Sequence, residues 1–69
     1  MILIPLSPTF DVKAERIVSV TQDTINTHRV YFVAYRDDAG DIQQFRATHS
    51  NILKLHFKEN RIKIINETD

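Results

Sequence analysis

The chain contains no cysteine and no tryptophan, one glycine, two prolines, and three histidines standing apart at positions 28, 49 and 56. Without cysteine there is no disulfide, no thiolate zinc site and no cysteine nucleophile. Histidines lacking H-x-x-x-H or H-E-x-x-H spacing give no expectation of a metal, and no cofactor is expected either. No apolar run is long enough to cross a bilayer. The opening MILIPLSPTF begins apolar, but no basic residues precede its apolar part and Pro5 and Pro8 interrupt it, so it does not read as a signal peptide. A cytoplasmic location is the expectation that follows. Excess charge is missing too: nine basic side chains balance nine acidic ones, so no overall field draws the chain to nucleic acid or to a membrane.

What is present reads as a folded domain, 42 % hydrophobic, occupying residues 1–69 as a single unit. A chain of this length buries only about 60 % of the surface it exposes when unfolded. Small domains usually add a disulfide, a metal or a partner subunit. With the first two unsupported, self-association is the remaining remedy. Isoleucine and valine number fourteen against eight for leucine plus alanine. Such β-branched side chains fit a pleated, half-buried surface better than a helix.

Alternation with a period of two marks the strands. In ERIVSVTQ (15–22) it places Val18 and Val20 on one face, with Ile17, Ser19 and Thr21 on the other. In RVYFVAYR (29–36), Val30, Phe32 and Ala34 alternate with Tyr31, Val33 and Tyr35. A four-residue loop DDAG (37–40), closing on the glycine, would pair Arg36 with Asp41, Phe32 with Phe45 and Val30 with Ala47. The expected core face is then Val30, Phe32, Ala34, Phe45 and Ala47, and the outward face carries Tyr31, Val33, Tyr35, Gln44 and Arg46. LKLHFK (53–58) and RIKII (61–65) read as a second hairpin, with Leu53, Leu55, Phe57, Ile62 and Ile64 inward. A rival reading makes 51–58 a short helix capped by Ser50, with Leu53 and Phe57 four apart. FDVKAE reads as a strand with Phe10, Val12 and Ala14 inward, against a rival in which Ser7-Pro8 opens a helical turn. The expectation is an all-β or β-rich α+β fold. It would be a small antiparallel meander of five to six strands, rolled into an SH3-like or OB-like barrel or left as a sheet that dimerises.

Charge is unevenly placed: residues 42–65 hold Arg46, Lys54, Lys58, Arg61 and Lys63 against Glu59 alone, and the tail adds Glu67 and Asp69. Lys54, His56, Lys58, Arg61 and Lys63 would line the outer face of the second hairpin. That strip suits a phosphate backbone or a protein partner, or keeps a sheet edge from aggregating. Like charges directly across a strand pair are destabilising, which makes this strip the conspicuous feature of the sequence. His56 beside Lys63 would have its imidazolium disfavoured, with no function attached. Tyr31, Val33, Tyr35 and Arg46 form a second candidate, as an interface or as a platform for stacking bases.

Catalysis finds no support. Asp37, Asp38 and Asp41 lack calcium-loop spacing and suit a turn, and neighbouring His49 and Ser50 would point to opposite faces of a strand. No phosphate loop or paired-carboxylate cleft is present, and PLSP is too isolated to be a proline-rich ligand. The function expected is a non-catalytic protein-interaction module acting as a homodimer. A nucleic-acid-binding module using the basic strip is the alternative, and a small-ligand-binding β-barrel the second alternative.

Overall fold

The computed structural model describes residues 2–66, so Glu67 and Asp69 lie outside the described residues. It is a strand-rich domain with two sheets and one helix. Strands β1 (Leu3–Ser7) and β2 (Phe10–Lys13) form an antiparallel hairpin, followed by a 3-10 turn over Ala14–Arg16. The larger sheet has the order β5-β4-β3-β6, built from β3 (Ile17–Ile25), β4 (His28–Arg36), β5 (Ile42–Thr48) and β6 (Ile64–Asn66). β3, β4 and β5 pair antiparallel in succession. The helix α1 (Asn51–Glu59) then carries the chain across to β6, which runs parallel to β3 with Val20 beside Ile64. Among the described residues no helix is long and apolar enough to cross a membrane.

The strand over FDVKAE is present, shortened to β2, and Phe10 and Val12 turn toward the core. β1 sits where the sequence offered only two prolines. Pro5 is tolerated because β1 belongs to a two-stranded sheet and has a free edge toward which a missing N–H does no harm.

Three expectations are corrected. The hairpin over 53–65 is absent, and residues 51–59 are helical. Ser50 Oγ accepts from the Leu53 backbone N–H at 3.0 Å, satisfying one of the free donors at the helix start. The end is a Schellman motif: Ile62 N–H donates to Phe57 C=O at 2.9 Å and Arg61 N–H to Lys58 C=O at 3.1 Å, with Arg61 at φ 59°. Leu53 and Phe57, one turn apart, are the two helix residues that enter the core.

The pairing of β4 with β5 is shifted by one residue from the expected register. Val33 lies beside Phe45 and Tyr31 beside Ala47. The cause is Asp37, which belongs to the turn. Its Oδ1 accepts from the backbone N–H groups of Ala39 (3.0 Å) and Asp41 (2.9 Å), and its Oδ2 from the Gln43 amide at 3.0 Å. Gly40 at φ 86° closes the turn with an N–H donated to Asp37 C=O. Asp37 and Asp41 therefore become the closing pair, the loop is one residue shorter than expected, and the faces of β4 exchange. Those hydrogen bonds, the Gln43 amide foremost, hold the Asp37 carboxyl below its ordinary value. Its contribution to the turn is present above the carboxylate's unfolded pKa and fades as the pH falls through the lowered folded value.

In β3 the register shifts between Ile17 and Ser19. This bulge leaves Val18 exposed and brings Ile17 onto the same side as Val20, where it packs on the core. β3 reaches β4 through the two-residue turn Asn26-Thr27, both at positive φ (50° and 67°), as a type I′ turn requires.

The core lies on one side of the large sheet. Val20, Tyr31, Val33 and Ala47 from the sheet meet Ile4, Leu6 and Val12 from the β1–β2 hairpin and Leu53 and Phe57 from α1. Hairpin and helix thus cover the same face.

Candidate interaction surface

Neither the hairpin nor α1 lies on the opposite face of the large sheet, although Val30 on that face is buried at 8 % exposure. Because side chains alternate along each strand, the registers assign it directly. Ser19, Thr21, Asp23 and Ile25 come from β3, His28, Val30, Phe32, Ala34 and Arg36 from β4, Ile42, Gln44, Arg46 and Thr48 from β5, and Ile65 from β6. Across the middle of the sheet Arg46, Phe32, Thr21 and Ile65 stand in one row. Ile42 is 51 % and Ile65 47 % exposed, and Phe32, partly buried at the centre, lies outside the core cluster. Such a face has Val30, Phe32 and Ala34 at its centre and carries two arginines, Arg36 and Arg46, and one aspartate, Asp23.

The aromatic candidate set is dismantled by the shifted register. Tyr31 and Val33 are fully buried. Tyr31 packs edge-on against Phe57 at 5.3 Å between ring centroids, and also lies 5.3 Å from the His49 ring. Tyr35 packs against Phe10 at 5.6 Å. Only Arg46 of the four is on the uncovered face. A buried Tyr31 offers no ring to a base or to a partner.

The basic set is redistributed by the helix. At 3.6 residues per turn, Lys54 and Lys58 share one flank of α1 and Arg61 follows at its end, all exposed. His56 turns to the other flank and is half-buried, while its backbone carbonyl accepts from the Asn60 side-chain amide at 2.8 Å. Lys63 lies in the connection to β6. The cross-strand pairs of like charge that the hairpin would have forced do not exist. Among the described residues the one ion pair is Arg16 with Asp38, at 3.0 Å, between a partly buried guanidinium and a fully exposed carboxylate.

Two surface recesses of about 380 and 330 Å³ flank the sheet. The larger borders the outer edge of β5 from Phe45 to Thr48 and faces Pro5–Pro8. The smaller runs beside Phe10, Arg16 and Tyr35. Among the described residues no three metal-ligating side chains come together.

No family model matches this chain. No curated protein and no solved structure is similar to it either.

What the sequence pattern did not reveal is the placement of Phe32 on the face away from the core. Its neighbours Val30 and Ala34 are apolar, so the pattern offered two apolar faces for β4, and only the turn at Asp37 decides which one goes inward.

Proposed function

We propose that the protein is a non-catalytic protein-interaction module that forms a homodimer through the uncovered part of its four-stranded sheet. The observation that carries this reading is the open face around Phe32, Ile42 and Ile65, opposite a face fully occupied by hairpin and helix. Exposed apolar area of this kind, rimmed by polar residues, marks sites where another protein sits. The short chain supplies a second motive, because a small core leaves room for stabilisation by association. Of the architectures considered, a sheet that dimerises fits best, since the strands divide between two sheets and the larger one keeps free edges. A cytoplasmic setting, in keeping with a chain free of cysteine, belongs to the same reading.

The nucleic-acid reading keeps Lys54, Lys58 and Arg61 as a basic flank but has lost the aromatic platform that Tyr31 was to supply. Sedimentation equilibrium of the full chain, from low to high micromolar concentration, tests the leading proposal. The expected outcome is a mass that rises from one chain to two. A constant single-chain mass across that range would overturn it.

A further inference from the structure

Resting only on the self-association part of that reading, and placing the contact at the sheet's edge rather than on its open face, the geometry points to one seam: we infer that β5 pairs antiparallel with β5 of a second copy, in a register centred on Phe45, with the face around Phe32 and Ile65 left open in that dimer. The large sheet ends on β5 at one side and on β6 at the other. Sheet edges normally carry a device against pairing, such as shortness, proline, lysine or a bulge. β6 has three residues. β1 has Pro5 and a register shift, and β2 is four residues long with Asp11 and Lys13. β5 has none of these. It is seven residues long, keeps one unbroken register with β4, and carries a single charge, Arg46.

Which groups that edge offers follows from the two bonds that bracket the ladder. Asp37 N–H donates to Asp41 C=O, and His49 N–H to Arg29 C=O. In an antiparallel pair, hydrogen-bonded and non-hydrogen-bonded positions alternate. The odd-numbered residues of β5 therefore face β4. The N–H and C=O groups of Ile42, Gln44, Arg46 and Thr48 point away from it, and all four residues are exposed. The larger recess borders the second half of this edge and separates it from Pro5–Pro8.

Register follows from charge and overlap. Centred on Phe45, the pairing sets Gln44 opposite the partner's Arg46, Ile42 opposite the partner's Thr48, and Phe45 opposite itself, and every residue of the strand is paired. The outward groups of Gln44 and Arg46 then meet as a hydrogen-bonded pair, and the Gln44 side-chain carbonyl lies within reach of the guanidinium. Sliding by two residues toward Thr48 sets Arg46 against Arg46, which repels, and shortens the overlap. A two-fold axis normal to the sheet results, as in an isologous dimer. Phe45, already 5.0 Å from Phe10 between ring centroids, gains the partner's ring on the core side.

Sedimentation equilibrium on three variants tests the seam. Gln44→Pro removes an N–H that points away from β4, so the chain keeps its own ladder and is expected to be a folded monomer by circular dichroism. Gln44→Glu places a carboxylate opposite Arg46 twice per dimer and is expected to tighten the dimer by a few-fold to about tenfold, while Gln44→Arg weakens it comparably. If wild type never dimerises, the proposed function fails and the seam with it. If wild type dimerises and Gln44→Pro does so with unchanged affinity, the seam is overturned and self-association stands on another surface. Should Gln44→Pro not fold, the charge variants decide: tightening by Glu with weakening by Arg supports the register, and any other pattern overturns it.

Discussion

Tyr31 shows how a single atom can sit badly in an otherwise apolar core. Its ring is fully buried between Phe57 and His49, yet its hydroxyl is buried without a hydrogen-bond partner among the described residues. Burial pushes the phenol's pKa up, with the charge of Arg29 pulling partly against it. A buried hydroxyl left unpaired costs on the order of 1–3 kcal/mol of desolvation. Tyr31→Phe keeps the ring contacts and removes the hydroxyl, so it is expected to raise stability by about 1 kcal/mol, read as a higher urea midpoint at unchanged slope. A loss of the same size would show that the hydroxyl is hydrogen-bonded in solution. Nothing in the sequence announces this position, because tyrosine suits an exposed sheet face as well as a core and only the turn at Asp37 selects between them.

At the scale of elements, α1 depends on its two ends. Ser50→Ala removes the cap to Leu53 and is expected to cost about 1 kcal/mol. Arg61→Gly relieves a side chain held at φ 59° and is expected to gain roughly 0.5–1 kcal/mol. Thermal or urea unfolding of both variants checks the signs, and a neutral Ser50→Ala would mean that packing of Leu53 and Phe57 alone holds the helix. Both ends also explain what could be read in advance. Leu53 and Phe57 satisfy a period of 3.6, but Leu53, Leu55 and Phe57 satisfy a period of two, and Leu55 is the deceptive member, since it is 55 % exposed. The serine was the local signal that separated the readings. β2 was legible because Phe10 and Val12 alternate with charged neighbours and no second apolar face competes. β4 is apolar on both faces, so its orientation hung on whether the loop after it closed at Arg36 or at Asp37.

For the molecule as a whole, nine core residues drawn from both sheets and the helix hold the structure together. A core this small leaves about 3–5 kcal/mol of net stability. Phe57→Ala, at a fully buried position, removes about as much. The variant is expected to be unfolded when dilute, with collapsed dispersion in its proton spectrum; a folded spectrum would place the margin well above what size suggests. The strand-rich character of the whole was written in its β-branched composition. The parallel addition of β6 was not, because parallel pairing joins segments distant in the chain and leaves no local pattern. That last strand has a kinetic consequence. Val20 and Ile64 meet only after β4, β5 and α1 have closed the longest loop of any strand pairing in the fold. Closure entropy is therefore spent on a contact three residues long, and β6 is the piece that joins late and leaves early. Each time it lets go, β3 becomes the outer strand, and the nine-residue edge of β3 takes the place of the three-residue border of β6.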